Sequence, residues 1–334
     1  MRAAVLHGPR DIRMEERRLL TPAAGEAMVR VSASGLCGTD YRIWSGDRPV
    51  TYPLIMGHEF IGEVAAVGPG VHALRPGQRV AVEPNFSCGI CPLCREGNRN
   101  LCLARTAVGI DVNGGFAEEV CLPARCCWPA PPEISGDQLM LAEPLAVVVR
   151  AVARGEAGHG ESAAVLGVGA LGLLAIQVLK AKGLRVLAVG RTARREQLAR
   201  VLGADGFATT ETGGGVAAAR GFSGREGVDL VIETAGTAVA VEQALELARP
   251  GGRVVLTGLP HEASTVNFFS IVRREIQIVG SMIYQDEFPE AIRLLSEGTV
   301  LADRLVTHRF PLDRIQEAFV AHRLPDAIKV SVTT

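Results

Sequence analysis

The sequence lacks the features that would direct a protein to a membrane or to nucleic acid. Its net charge is only −1, from 35 Lys and Arg against 36 Asp and Glu, so it predicts no broad basic surface. No apolar run approaches the ~18 residues of a transmembrane helix. The N-terminal stretch MRAAVLHGPRDIRM also lacks the long apolar segment of a signal peptide. We therefore expect a soluble, cytoplasmic protein with no nucleic-acid partner and no membrane partner.

Aromatic residues are scarce as well, at 4% of 334 residues, although apolar residues reach 48%. Each ring is therefore explained as readily by core packing as by contact with a ligand. This holds for the rings that lie near the candidate sites discussed below: Tyr41, Trp44, Phe116 and Tyr284.

The chain changes character near Pro144, which predicts a boundary between two domains. Residues 1–146 contain short alternating or apolar runs bounded by Gly and Pro, which are typical of β-strands. Residues 147–281 alternate apolar strand-like runs with amphipathic helical runs, which predicts a parallel sheet covered on both faces. Residues 282–334 end in the strand-like KVSVTT and are expected to return to the first domain. The predicted fold class is α/β, with a β-rich domain and a doubly wound Rossmann domain.

Four of the eight cysteines form a cluster within fifteen residues. They have the spacing C-x2-C-x2-C-x7-C, at Cys88, Cys91, Cys94 and Cys102. In a reducing compartment this spacing indicates a metal site rather than disulfides. Four thiolates complete a tetrahedron, so we expect residues 88–102 to form a lobe around a structural zinc ion. Three other cysteines lack such spacing and are expected to be ordinary buried thiols: Cys121, Cys126 and Cys127.

The segment from 35 to 59 predicts a second metal site. It carries Cys37 and, further on, the adjacent pair His58 and Glu59. A thiolate and an imidazole on separate loops suit Zn²⁺, and a catalytic zinc takes three protein ligands and leaves one position open. The third ligand has to come from elsewhere, and our candidate is Glu143 in the sequence LAEPL. The alternative is a metal-free core that happens to contain these residues.

A glycine-rich turn predicts a dinucleotide site at the start of the second domain. Gly167, Gly169 and Gly172 form G-x-G-x-x-G directly after an apolar strand and at the start of a helix. These glycines allow a tight turn, close approach of a pyrophosphate, and close packing of helix on strand. The pyrophosphate then meets free N–H groups at the helix N-terminus. We expect Ala170 and Leu171, inside the same turn, to contact the cofactor too.

The end of the next predicted strand favours NADP over NAD. NAD-binding domains usually carry Asp or Glu there, hydrogen-bonded to the ribose. This sequence instead has Gly190 followed by Arg191, Thr192 and, slightly later, Arg195. A guanidinium forms charge-assisted bonds with a 2′-phosphate, whereas a carboxylate would repel it. Arg191 is the leading contact, Thr192 a hydroxyl donor and Arg195 a supporting cation, whereas Arg194 is equally well explained as a solvated helix residue.

Taken together, these residues resemble the zinc-dependent medium-chain alcohol dehydrogenases, and within them the polyol (sorbitol-like) and threonine dehydrogenase branch. The resemblance runs over nearly the whole chain. It depends on several motifs in the same order: GLCGTD at 35–40, GHE at 57–59, the four-cysteine lobe at 88–102, GGFAE at 114–118, EPL at 143–145 and GVGALG at 167–172. The resemblance implies a GroES-like β-rich catalytic domain, a Rossmann domain, two zinc ions per chain, and a homodimer or homotetramer.

By position, the resemblance implies that Cys37 and His58 are ligands of the catalytic zinc. Glu59 corresponds to a ligand or a switchable ligand, and Glu143 to a glutamate that binds the metal directly or through its water. Which of the two carboxylates coordinates stays open. Asp40 is expected to hydrogen-bond a ligand rather than to coordinate.

The implied chemistry is reversible oxidation of an alcohol, in which Thr39 accepts the hydroxyl proton and a nicotinamide accepts hydride. The substrate is then an alcohol or carbonyl compound, with a polyol, sugar alcohol or diol favoured. Two departures from the family pattern matter. Arg42 replaces a histidine that relays the proton, and is expected to form a surface salt bridge, or else to meet a carboxylate or phosphate of the substrate. Ile283 replaces an arginine that would contact a polyol chain.

Three alternatives to this function stay open. The chain could be an NAD-dependent enzyme similar to threonine dehydrogenase, or a simple alcohol dehydrogenase. From another class, it could be a non-catalytic NADP-binding or zinc-binding protein that has kept the fold.

Overall fold

The structure is a computed structural model that describes residues 1–19, 21–210, 214–260 and 262–334. The chain divides into two compact units. The first unit comprises Met1–Glu143, Ala291–Ser296 and Leu301–Thr334. The second unit comprises Pro144–Glu290 and Glu297–Val300.

The first unit is built mainly from β-strands. They are β1 (Arg2–Gly8), β2 (Asp11–Glu16), β3 (Glu26–Leu36), β4 (Leu54–Ile55), β5 (Glu59–Val67), β6 (Arg79–Val82), β7 (Asn85–Phe86), β8 (Thr106–Ala107), β9 (Glu119–Pro123), β10 (Cys127–Pro129), β17 (Val306–Pro311) and β18 (Lys329–Thr333). The largest sheet has the order β10-β6-β5-β3-β18-β17, with β9 also paired to β3. A second sheet has the order β2-β1-β4, and β7 pairs with β8.

Strand β3 is central to the first unit because it pairs with β5, β9 and β18. In its first half every second residue is buried, including Ala27, Val29 and Val31. This period of two places one face of the strand in the core, as expected for a half-buried strand. The antiparallel pairing of β18 with β3 joins the end of the chain to this sheet, with Val330 opposite Leu36.

Short helices occupy the connections of the first unit. They are α1 (Gly38–Ser45), α2 (Pro92–Arg95), α3 (Gly136–Leu139) and α11 (Ile315–Ala321). Helix α1 begins directly after β3 and ends at Gly46, whose φ of 92° gives the left-handed C-terminal residue that glycine favours. A buried cluster that includes Ile43, Leu36 and Phe319 fixes α1 against the rest of the unit.

The second unit contains a six-stranded parallel sheet. Its strands are β11 (Ser162–Leu166), β12 (Arg185–Gly190), β13 (Gly206–Thr209), β14 (Val228–Glu233), β15 (Ala248–Leu256) and β16 (Gln277–Gly280). The spatial order is β13-β12-β11-β14-β15-β16. In chain order this is 3-2-1-4-5-6, the arrangement of a doubly wound dinucleotide-binding sheet. The predicted α/β fold class is confirmed.

The remaining helices are α4 (Ala142–Arg154), α5 (Ala170–Ala181), α6 (Glu196–Val201), α7 (Gly215–Ser223), α8 (Ala238–Leu247), α9 (Phe268–Arg274) and α10 (Phe288–Ser296). The strand β14 is buried at every position, VDLVIE, as expected for a strand covered on both faces. Within the described parts of the chain, no helix has both the length and the apolar character needed to cross a bilayer.

Candidate active site

Cys37, His58 and Glu59 come together because two neighbouring antiparallel strands meet at one end. Strand β3 ends at Leu36, so Cys37 is the N-cap residue of α1. Strand β5 begins at Glu59, and the register places Glu59 opposite Gly35. One ligand atom from each of the three residues lies within 4.8 Å of the other two. His58 and Glu59 are buried, and Cys37 is half-buried.

The fully buried carboxylate of Asp40 holds this arrangement in place. It accepts hydrogen bonds from the backbone N–H groups of Cys37, at 3.0 Å, and Gly57, at 3.4 Å. Its Oδ1 also lies 3.2 Å from Nδ1 of His58. Burial disfavours the charged imidazole, but Asp40 and Cys37 outweigh burial and raise the pKa of His58. A carboxylate on one ring nitrogen orients the other nitrogen toward a metal, so Asp40 has the hydrogen-bonding role expected of it.

Lys329 is a residue of this site that the sequence did not reveal. Its Nζ lies 2.5 Å from Oε2 of Glu59, and the two side chains are 5% and 2% exposed. Burial alone would lower the pKa of Lys329, but the negative charges of Glu59, Cys37 and Glu143 outweigh burial and raise it. Lys329 therefore stays charged and compensates a cluster that is otherwise rich in negative groups.

The two candidate carboxylates occupy different positions. Glu59 belongs to the group of mutually close ligand atoms, whereas Glu143, 8% exposed in the first turn of α4, does not. Glu143 is still near enough for its charge to act on Lys329. Space for Glu59 depends on Gly35, because a Cβ at that position would lie 2.4 Å from Oε2 of Glu59.

Thr39 and Arg42 lie on α1, directly after its N-cap residue, the metal candidate Cys37. Both are half-buried. The surface salt bridge expected of Arg42 is not formed, since no described carboxylate pairs with its guanidinium. The buried rings Phe116 and Tyr284, at 0% and 2% exposure, are core residues.

The donor set fits zinc. It combines sulfur, nitrogen and oxygen, which Zn²⁺ accepts together. Zinc–ligand bonds of 2.0–2.3 Å in a tetrahedron separate the ligand atoms by about 3.3 to 3.8 Å. The ligand atoms of Cys37, His58 and Glu59 all lie within 4.8 Å of one another, so the three donors are near enough to share one ion.

The four-cysteine lobe has the geometry of a closed zinc site. The Sγ–Sγ distances are 3.5 Å for Cys91–Cys94, 3.9 Å for Cys91–Cys102 and 3.5 Å for Cys88–Cys102. Zn–S bonds of ~2.3 Å in a tetrahedron give about 3.8 Å between sulfurs. Backbone N–H groups of Cys94 and Leu103 lower the pKa of Cys91 to about 6, which favours the thiolate that a metal requires.

The three cysteines outside this lobe differ in burial. Cys126 and Cys127 are buried, as predicted, and burial raises the pKa of each to about 12. Cys121 is only half-buried, so the expectation of a buried thiol is wrong for it, although burial still raises its pKa to about 11.

The glycine turn of the second unit lies where the sequence predicts it. Gly167 follows β11 with a φ of 101°, a left-handed conformation that only glycine adopts readily. Gly169 is the N-cap residue of α5, so Ala170 and Leu171 form its first turn. Gly172 allows the helix to approach the strand, because a Cβ there would lie 1.8 Å from the carbonyl oxygen of Gly167.

The segment after β12 contacts this turn. Gly190 ends β12, and Arg191 is exposed directly after it. Thr192 accepts a hydrogen bond from the backbone N–H of Arg194 at 3.4 Å. Nη1 of Arg195 donates to the carbonyl oxygen of Val168, inside the glycine turn, at 2.7 Å. The predicted cofactor residues therefore form one continuous edge of the second unit.

Comparison with known proteins agrees with this geometry. Residues 23–132 match the alcohol dehydrogenase GroES-like domain family, and residues 170–297 match the zinc-binding dehydrogenase family. The chain is 32% identical to sorbitol dehydrogenase of Bacillus subtilis (strain 168) over 325 residues, which cover 95% of this chain and 92% of that protein. The chain belongs to the zinc-dependent medium-chain dehydrogenase superfamily.

Solved structures of two similar dehydrogenases contain nicotinamide cofactors. A zinc-binding dehydrogenase from Sinorhizobium meliloti 1021, bound to NADP, matches with a TM-score of 0.94, 33% identity, and coverage of 100% of this chain and 99% of that chain. The rspB alcohol dehydrogenase from Escherichia coli CFT073, complexed with NADH, matches with a TM-score of 0.94, 32% identity and the same coverage. The predicted enzyme class and its two cofactor types, zinc and NAD(P), are confirmed for this medium-chain dehydrogenase.

Proposed function

We propose that this medium-chain dehydrogenase reversibly oxidises a hydroxyl group of a polyol, sugar alcohol or diol and prefers NADP as its cofactor. The observation that carries the proposal is the trio Cys37, His58 and Glu59, with ligand atoms within 4.8 Å of one another and Thr39 two residues after Cys37. The similarity to a sorbitol dehydrogenase supports the polyol class of substrate.

Cys37 and His58, with Glu59 or Glu143, would hold the catalytic zinc ion. Bound there, zinc supplies Lewis acidity that lowers the pKa of an alcohol hydroxyl, and the nicotinamide accepts the hydride. The lobe of Cys88, Cys91, Cys94 and Cys102 would hold the structural ion.

The protein's own residues then position the reacting groups and move the proton. Asp40 fixes the orientation of His58 through the 3.2 Å contact at Nδ1. Thr39 accepts the substrate proton at Oγ1 and donates its own hydroxyl proton onward, to ribose hydroxyls and water, since Arg42 replaces the relaying histidine. Lys329 compensates the charge of Glu59 in the buried site.

The preference for NADP depends on the segment after β12. It has no carboxylate at Gly190, and Arg191 follows, exposed, at the edge that also contains the glycine turn. Arg195 reaches that turn through its bond to the Val168 carbonyl, so its positive charge also lies at this edge. A guanidinium there would bind a 2′-phosphate through charge-assisted hydrogen bonds.

The test combines metal analysis with turnover. Purified protein should contain two zinc ions per chain. It should reduce NADP with members of a panel of C3–C6 polyols, their acids and phosphates, diols and simple alcohols. The matched pair of variants is Thr39→Val and Thr39→Ser, because only the second keeps a hydroxyl. Thr39→Ser should retain most of kcat, and Thr39→Val should lose at least about a hundredfold, the lower end for removal of a positioned acid–base group. Equal activity of the two variants would refute the role of Thr39, and zero turnover on every alcohol would refute the proposed function.

We also propose that the chain forms a homodimer through β16. This strand is at the edge of the six-stranded sheet. The preceding helix α9 exposes three apolar side chains, Phe268, Phe269 and Val272, at 74%, 71% and 76%. A two-fold axis beside β16 would continue the sheet into a second copy and cover this apolar surface. Light scattering should give twice the chain mass, and Val279→Pro, which removes a backbone donor of β16, should give the monomer.

The chemistry of the cysteines supports a cytoplasmic location. All eight are free thiols in the structure, and four of them form the zinc lobe. Thiols of this kind persist in a reducing compartment. Fractionation of the native cells, with zinc content measured in the cytoplasmic fraction, tests this proposal.

A further inference from the structure

Two arginines of the first unit, one in α1 and one three residues after its end, have no carboxylate partner among the described residues. Arg42 and Arg48 are both half-buried, and neither forms an ion pair with a described residue. A guanidinium is always charged and is rarely removed from water without a partner. Without a carboxylate of the chain, each guanidinium is available to an anion from outside it.

Arg42 lies on the same face of α1 as Thr39. It follows Thr39 by three residues, and residues at that spacing lie on the same face of a helix, about 5–6 Å apart at Cβ. Side chains also tilt toward the N-terminus of their helix, which here is the end that carries Cys37. The backbone N–H of Arg48 donates to the carbonyl oxygen of Arg42 at 3.0 Å. This hydrogen bond holds the backbone of Arg48, in the loop after α1, next to that of Arg42.

A cavity of about 520 Å³ lies beside Arg48 in the first unit. Its walls are formed by two segments, 48–51 and 110–111. The second wall connects to the metal site, because Gly114 donates to the Ile55 carbonyl and Gly115 to the Gly57 carbonyl, each at 2.8 Å. His58 follows Gly57 directly. The same backbone hydrogen bonds therefore connect the segment after the cavity wall to the segment that carries the metal candidate His58.

The carboxylates nearest in sequence to these arginines have other hydrogen-bond donors. Asp40 is bonded to the backbone of Cys37 and contacts His58. Asp47 accepts from Ser45 Oγ at 2.7 Å. Asp111, in the wall of the cavity, accepts from the backbone N–H of Ala107 at 2.8 Å. The positive charges of the two arginines are therefore left for a ligand.

From this arrangement we infer that the physiological alcohol carries an anionic group, a carboxylate or a phosphate, which Arg42 and Arg48 bind while its hydroxyl lies at Thr39. A guanidinium pairs with either anion through two parallel hydrogen bonds. The substrate class is then a hydroxy acid or sugar-alcohol phosphate rather than a neutral polyol. This inference rests on the proposed function.

The experiment compares substrates that share one carbon skeleton. Galactitol is neutral, galactonate adds a carboxylate, and galactitol 1-phosphate adds a phosphate. The same comparison is made with the C4 and C5 polyols and their acids and phosphates. We expect kcat/KM to be at least about tenfold higher for an anionic member than for its neutral partner, because only the anionic member can form charge-assisted hydrogen bonds with an arginine. The carboxylate and phosphate arms show which anion the site takes.

The variants Arg42→Gln and Arg48→Gln should each lower kcat/KM for the anionic substrate at least about tenfold and leave that of the neutral partner within about twofold. Arg18→Gln, at an exposed position of the same unit, is the matched control with the same change in charge. Calorimetric titration of the anionic compound into enzyme saturated with reduced cofactor should show the same loss of affinity, independently of turnover.

Three outcomes overturn the inference. Equal or better kcat/KM for the neutral partners would exclude an anion-binding role. Equal losses on neutral and anionic substrates, with a raised KM for the cofactor, would assign the arginines to the cofactor phosphates. Turnover of none of the compounds would refute the proposed function itself, and the inference with it.

Discussion

Lys329 and Glu59 form a buried ion pair although they are 270 positions apart in the chain. Lys329 is the first residue of β18, and β18 lies beside β3 with Val330 opposite Leu36. Strand β3 also pairs with β5, which begins at Glu59. The sheet therefore brings the last strand of the chain to the metal candidates, and a cation from that strand compensates their negative charge.

Replacement of Lys329 by Met should destabilise the protein by about 3 kcal/mol, because the carboxylate of Glu59 would stay buried without its partner. Equilibrium unfolding in urea measures this change in the free energy of unfolding. Lys182→Met, at an exposed position of the second unit, is the matched control and should have an effect within about 0.5 kcal/mol of zero.

The double variant Glu59→Gln/Lys329→Met separates charge compensation from packing. It removes both charges, so its loss of stability should be smaller than the sum of the two single losses. Strict additivity would mean that the two groups do not interact, and would contradict the assigned role of Lys329.

The sequence predicted the fold and most of the candidate site because these depend on local patterns. The spacing of Cys88 to Cys102, the glycines from Gly167 to Gly172, and the change from alternating to helical periodicity each reflect contacts within a few turns of the chain. Lys329 carries no such pattern. It is a single lysine that precedes the apolar-alternating run VSV, and only strand pairing shows that it is buried.

Two other features depended on tertiary structure in the same way. The ion pair expected of Arg42 requires a carboxylate at the right distance, which no motif encodes. The choice between Glu59 and Glu143 also depends on distances of a few ångströms around Cys37. The sequence could nominate both carboxylates but could not rank them.

Cys37→Ser should abolish turnover and lower the zinc content from two ions per chain to one. A serine hydroxyl at this position replaces a thiolate, which is the stronger zinc ligand. Cys94→Ser is the matched variant in the structural lobe, and it should mainly lower thermal stability, because a closed zinc site contributes directly to folding. Atomic absorption and a melting curve check the pair. Near-normal turnover of Cys37→Ser would refute the assignment of the catalytic metal site.

Arg191→Ala should raise KM for NADP at least about tenfold while KM for NAD stays similar, because only NADP has the 2′-phosphate that a guanidinium can bind. Steady-state kinetics with both cofactors measures the difference. Arg194→Ala is the matched control, since it lies exposed on the same turn and removes the same charge. Equal losses for the two cofactors in Arg191→Ala would refute the role in NADP selection.

His322 should make the folded protein less stable as the pH falls from about 6.5 to about 4. Its ring stacks on Tyr41 at 5.8 Å, and burial, followed by the charge of Lys329, lowers its pKa from 6.5 to about 4. The nearby carboxylates of Asp40 and Glu59 oppose this shift without cancelling it. In that window the unfolded chain binds a proton at this histidine and the folded chain does not, so stability is lost as pH falls.

The difference of about 2.5 pKa units corresponds to about 3 kcal/mol across the window. His322→Gln should therefore be less sensitive to pH than the wild type between pH 6.5 and 4, as measured by urea unfolding at each pH. His72→Gln, at an exposed position, should keep the wild-type dependence. Acid also weakens metal binding, because it protonates the thiolate ligands. The free energies of unfolding of the variant and the wild type are therefore compared at matched zinc content. Identical pH profiles for His322→Gln and the wild type would show that His322 takes up its proton equally in both states.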